Sequence, residues 1–259
     1  MFGNNDAPGV VLASAAKEYL RIYGVLVGKK PIIFTNNDSA YETAIEFKNN
    51  GIDPIILDTR TNPKSEIIAV AKNLGIDIKF SHVVVAANGY KKVNSAQIAQ
   101  ISPDKKDLGK IEKINCDCIC VSGFWTPTIH LASQSGNKTK FDEKIDAFVP
   151  GKSKQNETTV GSANGIFNLE ETINTSFEKG YELSKKITNK DNKISIPQVS
   201  EKNYTSHDKF WCVPLPDKKN YKRFLDFQND VTVSDIELAL REGYRSIEHV
   251  KRYTTLGMA

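Results

Sequence analysis

Short apolar runs alternating with amphipathic stretches restrict what this chain can fold into. Pro31-Ile32-Ile33-Phe34 and Ile55-Ile56-Leu57-Asp58 are too short for helices and too uniformly apolar for strands with one wet face. Between them Ala40, Ala44, Ile45 and Phe47 recur at helical intervals up to Asn50-Gly51. Residues 65–74 read as a second helix closed by Gly75, and Ile76-Asp77-Ile78 opens a third strand. Strand, helix, strand, helix, strand over so short a span is the pattern of a parallel sheet with crossover helices. Residues 82–87 and 93–101 predict an antiparallel pair about Asn88-Gly89, a favourable turn dipeptide, and residues 114–122 predict a last strand leading to Gly123. Upstream, residues 9–23 follow Asp6 and Pro8 and end at Gly24, as a helix would.

The rest of the chain changes character. Residues 136–159 are polar and turn-rich, and Val160–Gly165 then leads into a long helical pattern through Leu169, Ile173, Phe177 and Leu183. Residues 186–220, rich in Lys, Asn, Ser and Pro, read as a linker or extended arm. Two helix starts follow: Thr232 with Asp235 three residues on, a variant capping box, and Ser246 before Ile247. A hydrophobic content of 39% and a charged content of 25% place the chain among ordinary globular proteins. The net charge of +4 is the remainder of 35 basic and 31 acidic side chains, scattered without a basic stripe, which excludes a nucleic-acid partner. No apolar run approaches the ~20 residues of a membrane span. Met1–Asp6 also lacks the basic and apolar regions of a signal peptide, so the expected compartment is cytoplasmic.

A pyrophosphate is bound where a strand turns through small residues into a helix N-terminus, because backbone N–H groups can then approach it. The turn after the first strand has that position with other residues. Thr35, Asn37 and Ala40 stand where G-x-G-x-x-G/A would place small ones, and Asp38 adds negative charge. The unit is therefore expected to keep its fold and to have lost its own nucleotide. Asp58, at the end of the second strand, stands where a ribose-binding acid would sit or is simply a turn residue. Cys116, Cys118 and Cys120 would share one strand face. Their spacing lacks the gaps that chelate zinc, so no metal site is expected. His82, His130, His207 and His249 are isolated in sequence and no catalytic residue is assigned.

Several segments, in order, resemble one family. Asn4–Val10, Phe34–Tyr41, Val121–Leu131, Ala147–Pro150, Gly161–Gly165 and the tail from Asp226 to Ala259, including Lys251-Arg252-Tyr253-Thr254-Thr255-Leu256-Gly257-Met258-Ala259, are similar to the alpha subunit of heterotetrameric sarcosine oxidase. The resemblance implies an α/β fold of the Rossmann-like FAD/NAD(P)-binding two-domain type, akin to pyridine nucleotide-disulfide oxidoreductases, with a small C-terminal helical domain. It implies an internal piece of such a subunit, with a glycine-fingerprint domain before residue 1 and an aminomethyltransferase-like folate domain after residue 259. Residues 1–30 are then a helix of the first dinucleotide-binding domain and 31–125 an inserted NAD(P)-binding-like unit. Residues 126–185 return to the first domain, 186–220 are an arm, and 221–259 form a degenerate iron–sulfur-module-like domain.

The family's reaction is oxidative demethylation of sarcosine to glycine, forming hydrogen peroxide and passing the one-carbon unit to tetrahydrofolate. The resemblance implies non-covalent NAD in the full subunit, flavins in the partner subunit only, and beta, gamma and delta subunits as partners. Gly161, Ala163, Asn164, Asn168 and Glu170 match the return to the first domain and Gly123 the crossover glycine before it, so these six are the expected cofactor-binding residues. Tight turns and close strand packing explain the glycines nearly as well. Ser162 replaces the acid that related proteins carry there, and Asp226 and Gln228 replace the Cys-x-Cys of an iron–sulfur module, whose ligands must be thiolates or imidazoles. The alternatives are a stand-alone NAD(P)-dependent oxidoreductase and a non-catalytic docking module.

Overall fold

The computed structural model describes residues 1–190, 195–199, 207–216 and 221–258. Two compact units divide them, one built from residues 1–123 and 205–259 and the other from 124–204. The first unit opens with β1 (Val10–Leu12), α1 (Ala13–Tyr23), β2 (Pro31–Thr35), α2 (Ser39–Asn49), β3 (Ile55–Asp58), α3 (Glu66–Asn73) and β4 (Asp77–Phe80). It continues through β5 (His82–Asn88), β6 (Ser95–Gln100), β7 (Glu112–Asn115) and β8 (Cys118–Ser122). The parallel sheet has five strands in the order β1-β8-β2-β3-β4, and β5-β6-β7 form a separate three-stranded antiparallel sheet. The parallel strands expected from the apolar runs are thus present.

Both faces of the parallel sheet are covered, which is why its strands read as apolar throughout. Ile33, Ile56, Cys118 and Cys120 face a cluster with Ala13 and Ala16 of α1, Tyr41, Ala44 and Phe47 of α2, and Ile67, Ile68 and Ala71 of α3. Ile32, Phe34, Leu57 and Ile119 face the opposite cluster, filled by Val83, Val84, Val85, Ala96 and Ile98 of the antiparallel sheet. The result is three layers: helices, parallel sheet, antiparallel sheet.

The structure departs from the sequence expectations in three places. First, the helix expected over residues 9–23 begins only at Ala13, after a strand. Val10-Val11-Leu12 pair in parallel with Ile119-Cys120-Val121, and Ala13 and Ala16 are buried against the same core. The β-branched pair favours a strand, and the small alanines let α1 approach the sheet closely. Second, the three cysteines do not share a face. Cys116 joins one cluster while Cys118 and Cys120 join the other, because the chain passes between sheets at Cys116-Asp117 and the strand alternation restarts. Asp117 fixes that passage by accepting the Lys29 and Lys30 N–H groups, each at 2.8 Å. Third, the arm is not free throughout. Residues 191–194, 200–206 and 217–220 lie outside the described residues, but Val213 is wholly buried in the first unit's core.

The second unit contains α4 (His130–Gln134), the antiparallel pair β9 (Thr139–Asp142) and β10 (Ala147–Pro150), a short 3-10 turn at Gly161–Asn164, and α5 (Leu169–Thr188). No residue of α5 is fully buried. The tail adds β11 (Phe224–Asp226), β12 (Val231–Thr232), α6 (Val233–Arg241) and α7 (Ile247–Thr254). The expected capping box is formed, with the Thr232 N–H donating to Asp235 Oδ2 at 2.8 Å.

Two glycines test these local assignments in opposite directions. At Gly89, φ is +155° and an added Cβ would lie 1.8 Å from the Lys92 carbonyl oxygen, so the β5–β6 turn requires glycine. Gly180 lies in α5 with nothing within 4 Å of such a Cβ. Gly89→Ala is expected to destabilise by more than ~1 kcal/mol, and Gly180→Ala to stabilise α5 by about 0.5–1 kcal/mol. Urea unfolding followed by circular dichroism measures both.

Candidate functional site

In a parallel α/β sheet, ligands bind beyond the carboxyl ends of the strands where the order reverses. That place lies between β2 and β8, with β3 and β4 to one side and β1 to the other. The turn from β2 into α2 supplies Thr35, Asn36, Asn37 and Asp38, all buried, and β8 ends opposite at Ser122-Gly123.

This turn is closed by its own side chains. Thr35 Oγ1 accepts the Asn37 N–H at 3.1 Å and donates to the Asn37 carbonyl at 2.9 Å. Asn37 Oδ1 accepts from the Ser39 N–H at 3.0 Å and the Ser39 hydroxyl at 2.6 Å. Asn37 Nδ2 donates to Asn36 Oδ1 and to the Ser122 carbonyl, at 2.9 and 3.2 Å. The Asn37 and Ser39 N–H groups, which a pyrophosphate would need, are therefore engaged from within the turn.

Asp58 is also occupied. Its carboxylate accepts from Tyr41 Oη at 2.7 Å, from the Arg60 N–H at 2.9 Å and from Arg60 Nη2 at 2.8 Å. Arg60 Nη1 reaches Asp38 Oδ1 at 2.8 Å, so one guanidinium bridges two fully buried carboxylates. Burial works against the Arg60 charge, but hydrogen bonds to Asp58 and the fields of Asp58 and Asp38 outweigh it and hold the group cationic. Burial, with the Asp58 charge second, pushes the Tyr41 phenol up, so it stays a neutral donor. The two readings of Asp58 thus resolve toward structure, because its oxygens already have donors from its own unit. Sequence reasoning missed Tyr41 and Arg60. An arginine two residues past a strand-end acid was the available signal. Beside them a cavity of about 480 Å³ is lined by Arg60, Thr61, Asn62, Pro63, Lys64, His207 and Asp208.

The expected cofactor residues fall in two places. Gly123 follows β8 in the first unit, where its carbonyl accepts from Asn36 Nδ2 at 3.4 Å, and an added Cβ would meet nothing within 4 Å. Gly161, Ala163, Asn164, Asn168 and Glu170 gather at the entrance to α5 in the second unit. Residues 161–164 are a 3-10 turn there. Gly161 has φ +66°, and its missing Cβ leaves room for Thr172 Cγ2, which would lie 3.0 Å away. Asn168 is the N-cap, its Oδ1 accepting the Glu171 N–H at 2.9 Å, and Glu170 lies exposed in the first turn.

Other singled-out residues do not assemble into a site. Cys118 and Cys120 Sγ lie 3.6 Å apart among apolar side chains. Burial pushes the Cys116 thiol up to about 12, and the bond with Cys118 together with burial raises Cys120, so both stay protonated. Among the described residues no three His, Cys, Asp or Glu side chains are grouped to hold a metal ion, and no helix is long and apolar enough to cross a membrane. His82 Nδ1 lies 2.7 Å from the Phe80 carbonyl, and His130 and His249 are exposed.

In the tail, Asp226 stands at the first of the two compared cysteine positions and works as a staple. Its carboxylate accepts the N–H groups of Gln228 at 2.8 Å, Asn229 at 3.2 Å and Gly257 at 2.8 Å, and Asn229 Nδ2 at 3.0 Å. It thereby ties the β11–β12 turn to the end of α7.

The fold defines the class: an α/β unit with the fold of FAD/NAD(P)-dependent oxidoreductases. L-proline dehydrogenase from P. horikoshii superposes on the whole chain with a TM-score of 0.51 at 18% identity, 46% of that chain being covered. A HOCl-induced flavoprotein disulfide reductase from Escherichia coli covers 72% of this chain and 41% of its own, with a TM-score of 0.51 at 14% identity. In sequence the relationship is narrower. The sarcosine oxidase alpha subunit of Corynebacterium sp. (strain P-1) is 32% identical over 265 residues, spanning 100% of this chain, and that of Rhizobium meliloti (strain 1021) is 32% identical over 262. Residues 220–259 match the sarcosine oxidase A3 domain family. From end to end this chain is thus similar to sarcosine oxidase alpha subunits, and it spans 27% and 25% of the length of those two relatives.

Two substitutions probe the site. Removing the guanidinium strands two buried carboxylates, so Arg60→Met is expected to destabilise by about 3–5 kcal/mol. Adding Asp38→Asn and Asp58→Asn should recover part of that loss in urea unfolding. In the tail, hydrogen bonds from Asn229 and the Gly257 N–H hold the Asp226 carboxyl down at about 2 against an ordinary value of 3.8. A depressed folded value contributes stability above pH ~4 that is lost as the pH falls through about 2. Amide protection at Gln228 and Gly257 is expected to fall over that window, and to be low at every pH in Asp226→Ala.

Proposed function

We propose that this chain is non-catalytic framework within the alpha subunit of a sarcosine oxidase complex. The complex converts sarcosine to glycine by oxidative demethylation, with hydrogen peroxide formed and the one-carbon unit passed to tetrahydrofolate. Amine oxidation belongs to flavins in a partner subunit, and beta, gamma and delta subunits are the partners.

The observation that carries this reading is the closed turn between β2 and α2. Its N–H groups are bonded to Thr35 and Asn37, and the nearby acid Asp58 is bonded to Tyr41 and Arg60. A dinucleotide would have to break these contacts to enter, so the first unit does not fit NAD as it stands. The entrance to α5 fits one wall of an NAD site better. Gly161 and Ala163 keep side-chain bulk low there, Asn164 and Glu170 are exposed, and Asn168 orders the first turn. NAD supplies no redox step in this proposal. The chain's own residues position it, with Gly123 as the crossover glycine. The exposed Leu169, Phe177, Leu183 and Ile187 of α5 suit contact with further protein surface.

Half a site forfeits most contacts yet still bears an association cost of roughly 4–15 kcal/mol. The chain alone is therefore expected to bind NAD with a Kd weaker than about 1 mM in calorimetric titration, and not to oxidise sarcosine. Micromolar binding abolished by Asn37→Trp and untouched by Ala163→Trp would place the nucleotide in the first unit and sink the proposal.

A further inference from the structure

The crevice between β2 and β8 is covered by a distant piece of the same chain. The Asp208 N–H donates to the Asn36 carbonyl at 3.0 Å, and Asn36 Nδ2 donates back to the Asp208 carbonyl at 2.7 Å. This two-way pairing engages the residue that follows β2, and the same Asn36 amide reaches Gly123 at the end of β8. The Asp208 carboxylate forms an ion pair with Lys105, from the β6–β7 connection. The Lys105 ammonium also lies over an aromatic face, 5.4 Å from the Phe210 ring centroid. Further along, the Val213 N–H donates to the Met1 carbonyl at 2.8 Å and its side chain is wholly buried.

We propose that His207–Val213 is a strap that occupies the dinucleotide crevice of the first unit from within. Its Asp208 end pairs with the turn at Asn36, and its Val213 end is anchored in the core. This goes beyond the reading that the turn lacks small residues. The turn closes the floor of the crevice, and the strap closes its mouth. Lys105 is the clasp, since it holds Asp208 and Phe210 together from a third element. Burial lowers the Lys105 ammonium, opposed by the Asp58 charge, as befits a cation enclosed at the crevice rather than on an open surface. The strap is a conformational device: when the clasp opens, the Asn36 turn loses its cover, and the hold of its amide on the Gly123 carbonyl loosens with it.

Hydrogen exchange of the full 259-residue chain, read by mass spectrometry, tests this. In the unaltered protein the Asp208 and Val213 amides should be protected. Asp208→Arg, which faces Lys105 with a like charge, should speed exchange across 207–210 at least tenfold and raise exchange at residues 36–39 and 123. Residues 43–47 of α2 should not change. Lys105→Asn is the milder second variant. Lys105 sits at φ +61°, a conformation asparagine tolerates, so the cation is removed without straining the backbone. It should give the same pattern at smaller amplitude. Exchange of 207–213 at the rate of unstructured chain in the unaltered protein would overturn the proposal, and so would release of the strap that leaves 36–39 and 123 unchanged.

Discussion

The ladder between β2 and β8 pairs Pro31–Thr35 with Cys118–Ser122 in parallel, in a register that sets Thr35 beside Ser122. A parallel pair cannot be closed by a tight turn, so everything between these strands must leave the sheet and return to it. Two helical crossovers and the antiparallel sheet make that excursion, and β8 enters between β1 and β2. Both layers over the sheet and the position of the crevice follow from this one insertion. It also sets Asn36 and Asn37 against Ser122 and Gly123, partners more than eighty residues apart in sequence.

At that crevice the polar groups of the unit bond to one another. Three buried charges, Asp38, Asp58 and Arg60, would be costly to desolvate separately. They persist because each faces an opposite charge and Tyr41 adds a further donor. The asparagines of the turn similarly satisfy each other and the neighbouring strand end. A buried polar network of this kind is stable only when its members are paired. The turn, the triad and the strap therefore form one arrangement.

The tail follows the same logic on a smaller scale. There Asp226 gathers four N–H donors from two separate turns. The second unit differs. Its long α5 has no fully buried residue, and few side chains of that unit are buried at all.

The amino-acid sequence alone determined the parallel sheet, the β5–β6 turn at Asn88-Gly89, the capping box at Thr232 and the kinship with sarcosine oxidase alpha subunits. Periodicity, turn chemistry and local motifs act within a few residues, so they are legible without a structure. The side-chain-filled phosphate turn was legible too, because Thr35 and Asn37 stand where small residues are required. Four things were decided only by tertiary structure. Val10–Leu12 became a strand because Ile119–Val121 was available beside it. Cys116 parted from Cys118 because the chain changed sheets at Asp117. Asp58 became structural because Arg60 folds back on it while also reaching Asp38 across the turn. Asp208 came to cover Asn36 although no local pattern marks either residue for the other. Pairings of this last kind depend on chain closure over long separations, and a linear sequence carries no local signal for them.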